Sequence, residues 1–334
     1  MNNRTIPPAQ FQQALLAWYH KNKRILPWRQ RTDAYAIWLA EIMLQQTTVT
    51  TVIPYFLKFL EHFPTVNHLA KAEEQQVLHF WQGLGYYSRA RNLHKCAQQI
   101  VQSYNAEFPA TAAELQKLPG IGPYTAAAIA AQAFNEPATV VDGNVERVIS
   151  RLYCIKTPLP KAKPIIKEHA IPLTSPTEAG AYANAIMELG ATVCTPTSPK
   201  CPTCPVSKFC KAHQQKTETN YPKKEPKKKR PTKHGHVWLV TDANNALYLR
   251  QRPQKGLLAN LWEVPHTEWE DHPHPFPNLT FTKTGQIKHV FTHFTLNLTV
   301  HTAKTEKPHP QQHAFPLENL PPIPTLMKKV IETL

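Results

Sequence analysis

Two carboxylates, a glycine turn and a set of thiols are the residues of this chain whose types and spacing can do chemistry. Glu41 is the one charge in the apolar run AYAIWLAEIML, Ala34 to Leu44, with Ile37 and Leu44 a turn away on the same face. A carboxyl in such surroundings is costly to ionise and tends to hold its proton. A carboxylic acid kept neutral near pH 7 is what general acid catalysis requires. The plainer alternative is a structural Glu that snorkels to the surface or pairs with an Arg such as Arg29. Asp142 ends a short apolar run beside Gly143 and Asn144. It reads equally as an acid near a reacting centre and as a helix N-cap, although Val145 leaves no reciprocal capping box. The turn Gly120-Ile121-Gly122 leads into a small-residue helix signal, Tyr124 to Phe134. Backbone N–H groups at the positive end of a helix suit a phosphate, though such a turn alone is a common connector. Cys194-x6-Cys201-x2-Cys204-x5-Cys210 puts four thiols within seventeen residues rich in Pro and Lys. Such a stretch cannot form a hydrophobic core, so it makes a metal site. The spacing does not separate zinc from an iron–sulfur cluster. Cys96 and Cys154 stand apart and read as ordinary buried thiols.

The surrounding chain has to position these groups. At 334 residues, with 42% hydrophobic residues, it is long enough for two domains with real cores. A net charge of +15 points to a polyanionic partner, nucleic acid ahead of membrane. MNNRTIPPAQF shows no secretory signal and no apolar run reaches membrane-spanning length, so a cytoplasmic protein with no membrane partner is expected, its six cysteines reduced. Residues 9–20 read as an amphipathic helix carrying Phe11, Leu15, Trp18 and Tyr19. From 28 to 135 there are only helix signals and short turns, and 160–190 reads as helical again. Gln45-Gln46-Thr47-Thr48 are uncharged hydrogen-bonders suited to base edges or to a gap in a duplex. WQGLGYYSRARNL, 81–93, interleaves Tyr86 and its neighbour with arginines, a pattern for stacking and phosphate contact. Residues 214–233 are charged, Pro-containing and nearly free of apolar side chains, which predicts a basic linker. Beyond it HVWLVTDANNALYLRQR reads as a hairpin turning at 242–245. LTFTKTGQIKHVFTHFTLNLTVHTA reads as further strands and TLMKKVIETL as a short helix. Residues 234–334 therefore form a separate α+β domain.

Taken together, LPWR (26–29), LAEIMLQQTTV (39–49), WQGLGYYSRARNL (81–93), LPGIGPYTAAAIA (118–130), VVDGNVERV (140–148) and the four-cysteine loop occur in one order. In that order the chain resembles the helix-hairpin-helix DNA glycosylases and, within them, the A/G-specific adenine glycosylases, over almost its whole length. The resemblance implies a mainly α amino-terminal part of two helical subdomains with the active site between them, and an α+β Nudix-like carboxyl-terminal domain. Its boundaries here would be a catalytic domain over 1–213, with a helix-hairpin-helix subdomain at 28–135 and an iron–sulfur subdomain from 1–27 and 136–213. The linker at 214–233 and a lesion-recognition domain at 234–334 would follow.

The same resemblance implies roles. Glu41 would protonate the departing purine and Asp142 would stabilise the cationic sugar, with Tyr124 and Asn144 in support. Arg29, Gln46, Thr47, Tyr86, Gly120 and Gly122 would contact DNA. Cys194, Cys201, Cys204 and Cys210 would hold one 4Fe-4S cluster. The partner would be duplex DNA with A opposite 8-oxoguanine or G, bound by a monomer. Endonuclease III shares the hairpin and the cysteine spacing, but bifunctional lyases carry a Lys just after G-x-G, where this chain has Tyr124. Without that amine the Schiff-base route is lost. LLANLWEVP (257–265) lacks the acidic run of catalytic Nudix hydrolases and offers only Glu263, so the domain is expected to bind. The family's Phe-Ser-His loop corresponds to Phe291-Thr292-His293, with Thr replacing Ser. A lyase acting on damaged pyrimidines and a non-catalytic lesion binder are the rival expectations. Tyr124 speaks against the first, and the intact Glu41 and Asp142 against the second.

Overall fold

A computed structural model describes residues 6–226, 229–267, 279–306 and 312–334. The helices run Pro8–Asn22 (α1), Ala34–Leu44 (α2), Val49–His62 (α3), Val66–Lys71 (α4), Glu74–Trp81 (α5), Ser88–Ser103 (α6), Ala112–Leu115 (α7), Pro123–Phe134 (α8), Gly143–Tyr153 (α9), Lys163–Ala170 (α10), Ala179–Thr192 (α11), Lys211–Gln214 (α12) and Thr325–Ile331 (α13). Their ends follow local chemistry. Asp33 caps α2, its Oδ1 accepting from the Ala36 N–H at 2.8 Å. Thr48 and Thr111 cap α3 and α7, and Glu73 with Gln76 forms a capping box at α5. Pro123 opens α8, and Asn135 closes it in the left-handed region. Among the described residues no helix is long and apolar enough to cross a membrane.

The chain divides into two compact units, Met1–Lys71 with Lys95–Pro226, and Ala72–His94 with Lys227–Leu334. In the first unit α1 sends Phe11, Leu15 and Leu16 into a core shared with Val145 and Ile149 of α9 and Ile186 and Leu189 of α11. The apolar α2, buried from Tyr35 to Met43, packs against α8. Alanines join α8 to α11: Ala127, Ala128 and Ala131 meet Ala179 and Ala183. Two glycines of α11 allow still closer approach. A Cβ on Gly180 would come within 2.7 Å of the Ala131 carbonyl oxygen and 3.2 Å of the Gln132 Cα. One on Gly190 would come within 2.5 Å of the Asn144 Cβ. No side chain fits at either place.

In the second unit the strands are Thr232–Thr241 (β1), Leu247–Gln251 (β2), Trp262–Glu263 (β3), Thr282–Val290 (β4), Thr295–Lys304 (β5) and His313–Phe315 (β6). They form one mixed sheet in the order β3-β2-β1-β5-β4, with β6 on β2; β1 and β5 run parallel and the other pairs antiparallel. The turn predicted at 242–245 joins β1 to β2, where Asp242 Oδ1 accepts from the Ala246 N–H at 2.7 Å. Alternation in β5 buries Leu296, Leu298 and Val300, which meet Leu326, Met327 and Val330 of α13.

The predicted linker begins later than its composition suggests. Tyr221 is buried, the Tyr221 and Glu218 carbonyls accept from Arg151, and the Glu225 N–H donates to the Leu159 carbonyl at 3.3 Å. Residues 214–226 therefore pack within the first unit. Residues 72–94 cluster with the carboxyl-terminal sheet rather than with the rest of 28–135.

Candidate active site

Glu41, Tyr124, Asp142 and Asn144 line one cavity of about 590 Å³ in the first unit, together with Arg29 and Gln46. Glu41 is 6% exposed, near the end of α2. The Tyr124 hydroxyl donates to its Oε2 at 2.7 Å, and the Gln132 amide donates to its Oε1 at 2.8 Å, both from α8. Burial raises the Glu41 pKa above the ordinary carboxylate value. The bonds from Tyr124 and Gln132 oppose that shift, and Asp142 nearby reinforces it. The pairing with Arg29 that would have made Glu41 merely structural is not formed: Arg29 Nη2 donates to Glu188 Oε2 at 2.8 Å instead.

Asp142 is both a helix cap and a pocket acid. Its Oδ1 accepts from the Val145 N–H at 2.7 Å, which caps α9, and its Oδ2 accepts from Asn144 Nδ2 at 2.7 Å. The cap orients the carboxylate at the positive end of α9. Burial lifts its pKa, and the bonds from Val145 and Asn144 pull against that. Asn144 is itself fixed: its Oδ1 accepts from Arg147 Nη2 at 2.9 Å, and its backbone presses against Gly190. Arg147 also donates to the carbonyls of Gly190 and Cys194, both at 2.7 Å. The Asp142 side chain is thus tied through two residues to the start of the cysteine loop.

Glu188 is fully buried and holds two guanidiniums. Arg24 meets it through Nε at 2.7 Å and Nη2 at 2.8 Å, and Arg29 meets the same carboxylate. Burial works against ionisation, but the bonds from Arg24 and Arg29 outweigh it and hold the carboxyl at about 2. Arg24, Gln132, Arg147 and Glu188 brace the polar groups of this cavity, and motif reasoning misses them. Glu188 carries a readable signal, since it is the lone charge in AGAYANAIMELGAT, as Glu41 is in α2.

Gln46 and Tyr86 share a rarer feature. Both adopt left-handed backbone, at φ 60° and φ 48°, although neither is Gly or Asn. Ala106, Cys154, Lys216 and Leu258 share it, so the backbone alone does not mark these two positions as functional. Gln46 is exposed at the cavity and Thr47 half-buried beside it. Gly120, at φ +75°, and Gly122, the N-cap of α8, present an open turn. Tyr86 belongs to the second unit, where Arg89 stacks over its ring at 5.6 Å and over Trp81 at 5.2 Å. Phe291, Thr292 and His293 form the tip between β4 and β5, closed by the Phe291 N–H donating to the Phe294 carbonyl at 2.9 Å. The Tyr86 and Thr292 hydroxyls lie 2.7 Å apart, and these residues line a second cavity of about 480 Å³. The acid Glu263 is occupied: Arg250, Arg252 and His266 all bind its carboxylate.

Cys194, Cys201, Cys204 and Cys210 converge on one small cavity. Against it lies the Arg151 guanidinium, 1% exposed, with Nη1 3.2 Å from the Cys194 sulfur. Its other bonds go to backbone carbonyls, of Thr195 at 2.8 Å, Pro196 at 2.9 Å, Glu218 at 2.8 Å and Tyr221 at 3.2 Å, and among the described residues it has no carboxylate partner. A buried cation of this kind fits an anionic, thiolate-ligated centre. Cys201, His213 and Glu218 also lie within 4.8 Å of one another, but His213 Nδ1 and Glu218 Oε1 already pair at 2.7 Å.

Residues 39–170 match the HhH-GPD superfamily of base excision DNA repair proteins, and residues 236–333 match the NUDIX domain. A thermostable thymine-DNA glycosylase superposes with a TM-score of 0.57 at 28% identity, over 62% of this chain and 97% of that one. An endonuclease III–DNA complex superposes with a TM-score of 0.53 at 23% identity, over 63% and 98%, which concerns the fold alone. The adenine DNA glycosylase of Rattus norvegicus is 34% identical across 92% of this chain and 72% of its own length. That of Buchnera aphidicola subsp. Schizaphis graminum is 35% identical over 86% of each. The chain belongs to the adenine DNA glycosylase family, base-excision repair enzymes that act on DNA.

Proposed function

We propose that this enzyme hydrolyses the N-glycosidic bond of adenine opposite 8-oxoguanine or G in duplex DNA and makes no lyase cut. The bond is unreachable inside the duplex, so the adenosine leaves the stack and enters the cavity of Glu41 and Asp142. Gln46, exposed at the mouth, fills or probes the gap left behind. Glu41 gives its proton to the purine, and the C1′–N9 bond breaks with its electron pair on the base. The Asp142 carboxylate stabilises the cationic sugar, and Asn144 holds that carboxylate in place. Water then adds to C1′, leaving an abasic sugar, and its spare proton returns to the carboxylates. Two acids with divided roles follow the logic of glycoside cleavage. The observation that carries the reading is the 2.7 Å bond from the Tyr124 hydroxyl to Glu41. A phenol serves the acid where a lyase would carry an amine.

Arg29, neutralised by Glu188, shapes the pocket rather than an exposed DNA face. The 120–122 turn and Thr47 contact the DNA strand, and the tip Phe291-Thr292-His293 with Tyr86 inspects the opposite base. Cys194, Cys201, Cys204 and Cys210 hold one 4Fe-4S cluster. When bound it orders the basic loop of Lys200, Lys208 and Lys211 for the DNA backbone. The enzyme works as a monomer on duplex DNA.

The test is Glu41→Gln in single-turnover excision from a duplex with A opposite 8-oxoguanine, with alkali added to break abasic sites. Loss of a general acid costs roughly 10²–10⁴-fold. DNA affinity should survive. A variant rate within a few-fold of wild type would end the assignment.

A further inference from the structure

Glu41 is met by two donors from a single helix, and only the Tyr124 contact belongs to the glycine-turn motif. The second is Gln132, two turns further along α8, the one uncharged polar side chain in the apolar stretch Ala126–Phe134. Its backbone has little freedom. Gly180 of α11 allows the two helices to touch at Ala131 and Gln132, where any side chain on α11 would collide. One turn later Asn135 locks the end of α8, its Nδ2 donating to the Thr177 carbonyl at 2.7 Å and its Oδ1 accepting from the Gly180 N–H at 3.3 Å. The amide is thus aimed at Glu41 Oε1 by a backbone pinned from two sides.

We propose that Gln132 is a positioning residue for the acid: with Tyr124 it fixes the plane of the Glu41 carboxyl and stabilises the carboxylate left when the proton goes to adenine. The proposal rests on the reading of Glu41 as general acid. One donor on each oxygen leaves the remaining lone pairs for the transferable proton, so the carboxyl cannot swing as its charge changes. Donors already in place where charge develops need no reorganisation. The other groups facing Glu41 set the background. Asp142, ahead of α9, disfavours its ionisation, and Arg29, in the turn before α2, favours it, tempered by Glu188 of α11.

The consequence is a directional change in pH dependence. A donor to a carboxylate favours the ionised form, so its removal makes Glu41 a weaker acid. In Gln132→Leu and Gln132→Met, the alkaline limb of the single-turnover pH profile should move up by roughly one pH unit, the size expected for a hydrogen bond to a charged group. The plateau below it should fall roughly three- to tenfold, because a weaker acid transfers its proton more slowly. On the alkaline limb the two profiles should then meet or cross, because a one-unit shift offsets up to about tenfold of lost plateau rate. The acid limb, set by Asp142, should stay where it is. Far-ultraviolet circular dichroism and iron content at wild-type values establish that each variant is folded, and Met supplies an unbranched alternative should Leu disturb the helix.

A uniform loss of rate with the alkaline limb unmoved in both variants would make Gln132 a structural brace and overturn the proposal. Glu41→Gln in the same assay separates the two failures. If it excises adenine at the wild-type rate, the acid assignment itself falls. If it is inactive while Gln132→Leu keeps its limb, only the role of Gln132 falls.

Discussion

Replacing Glu188 by Gln tests whether the buried carboxylate between Arg24 and Arg29 holds the pocket wall together. The side chain is fully buried, so solvent screening does not reduce the interaction on its side. The fall of its pKa from the ordinary 4.5 to about 2 corresponds to about 3 kcal/mol of folding free energy, at ~1.4 kcal/mol per pH unit. Removing one partner of a buried ion pair costs about 3–5 kcal/mol, in the same range. The folded pKa is depressed, so this stabilisation is present above pH 4.5 and is lost as the pH falls toward 2. Glu188→Gln should therefore lose about 3 kcal/mol at pH 7 and nothing further in that window. Because Arg24 is 39% exposed, solvation of its freed guanidinium offsets part of the loss, whereas Arg29, at 10%, gains little. Urea unfolding followed at 222 nm, where the helical unit dominates, measures it at pH 7, 4.5 and 3. A loss below about 1 kcal/mol at pH 7, or a variant that keeps the wild-type acid sensitivity, would show that the triad is only a surface-type pair.

Three further outcomes are expected. Borohydride added during turnover should trap almost no protein–DNA adduct, since Tyr124 offers no amine, and efficient trapping on a pocket lysine would favour lyase chemistry. Protein purified under reducing conditions should carry about four irons per chain and broad visible absorbance; one zinc and no iron would assign the thiols to a structural zinc site. Alanine at Thr292 and His293 together should reduce the preference for A opposite 8-oxoguanine over A opposite G by roughly 1–3 kcal/mol, read as a ratio of affinities at fixed salt, and equal weakening of both duplexes would leave the tip as an electrostatic anchor only.

Much of the site is legible in the sequence because its residues break a pattern. Glu41 stands out as a lone charge in an apolar helix, and Tyr124 by its place after the glycine turn. The alternation of β5 and the turn at 242–245 likewise read directly. What stays hidden depends on contacts between distant segments. Arg24 and Glu188 are 164 residues apart, and Gln132 reaches Glu41 across 91. Glu188 stands out locally as a lone charge and Gln132 as a lone polar residue in its apolar stretch, but nothing local says which residue each one meets. The left-handed backbone at Gln46 and Tyr86 is equally silent, because neither residue type announces it. Asp142 shows that one residue can both cap a helix and line the cavity, so the two expectations for it are not exclusive. The parallel pairing of β1 with β5 is also unreadable, since it joins strands that are far apart in the chain. The early order at 218–226 escapes composition because it depends on the carbonyls that Arg151 collects.

The two glycine contacts of α11 make that helix a gauge block. Gly180 seats against Gln132, next to Glu41, and Gly190 seats against Asn144, next to Asp142. Ten residues of α-helix separate the seats, about 15 Å of fixed length. The spacing of the two acids is thereby referred to the pitch of a third element, which meets their neighbours Gln132 and Asn144. Substitutions on the outer face of α11 leave the gauge intact. Insertion or deletion of one residue between the seats changes the length by about 1.5 Å and turns one end by about 100° against the other. One glycine then faces open space while a side chain meets the backbone in its place. A one-residue insertion or deletion in α11 should therefore disturb the pocket more than one in a surface loop.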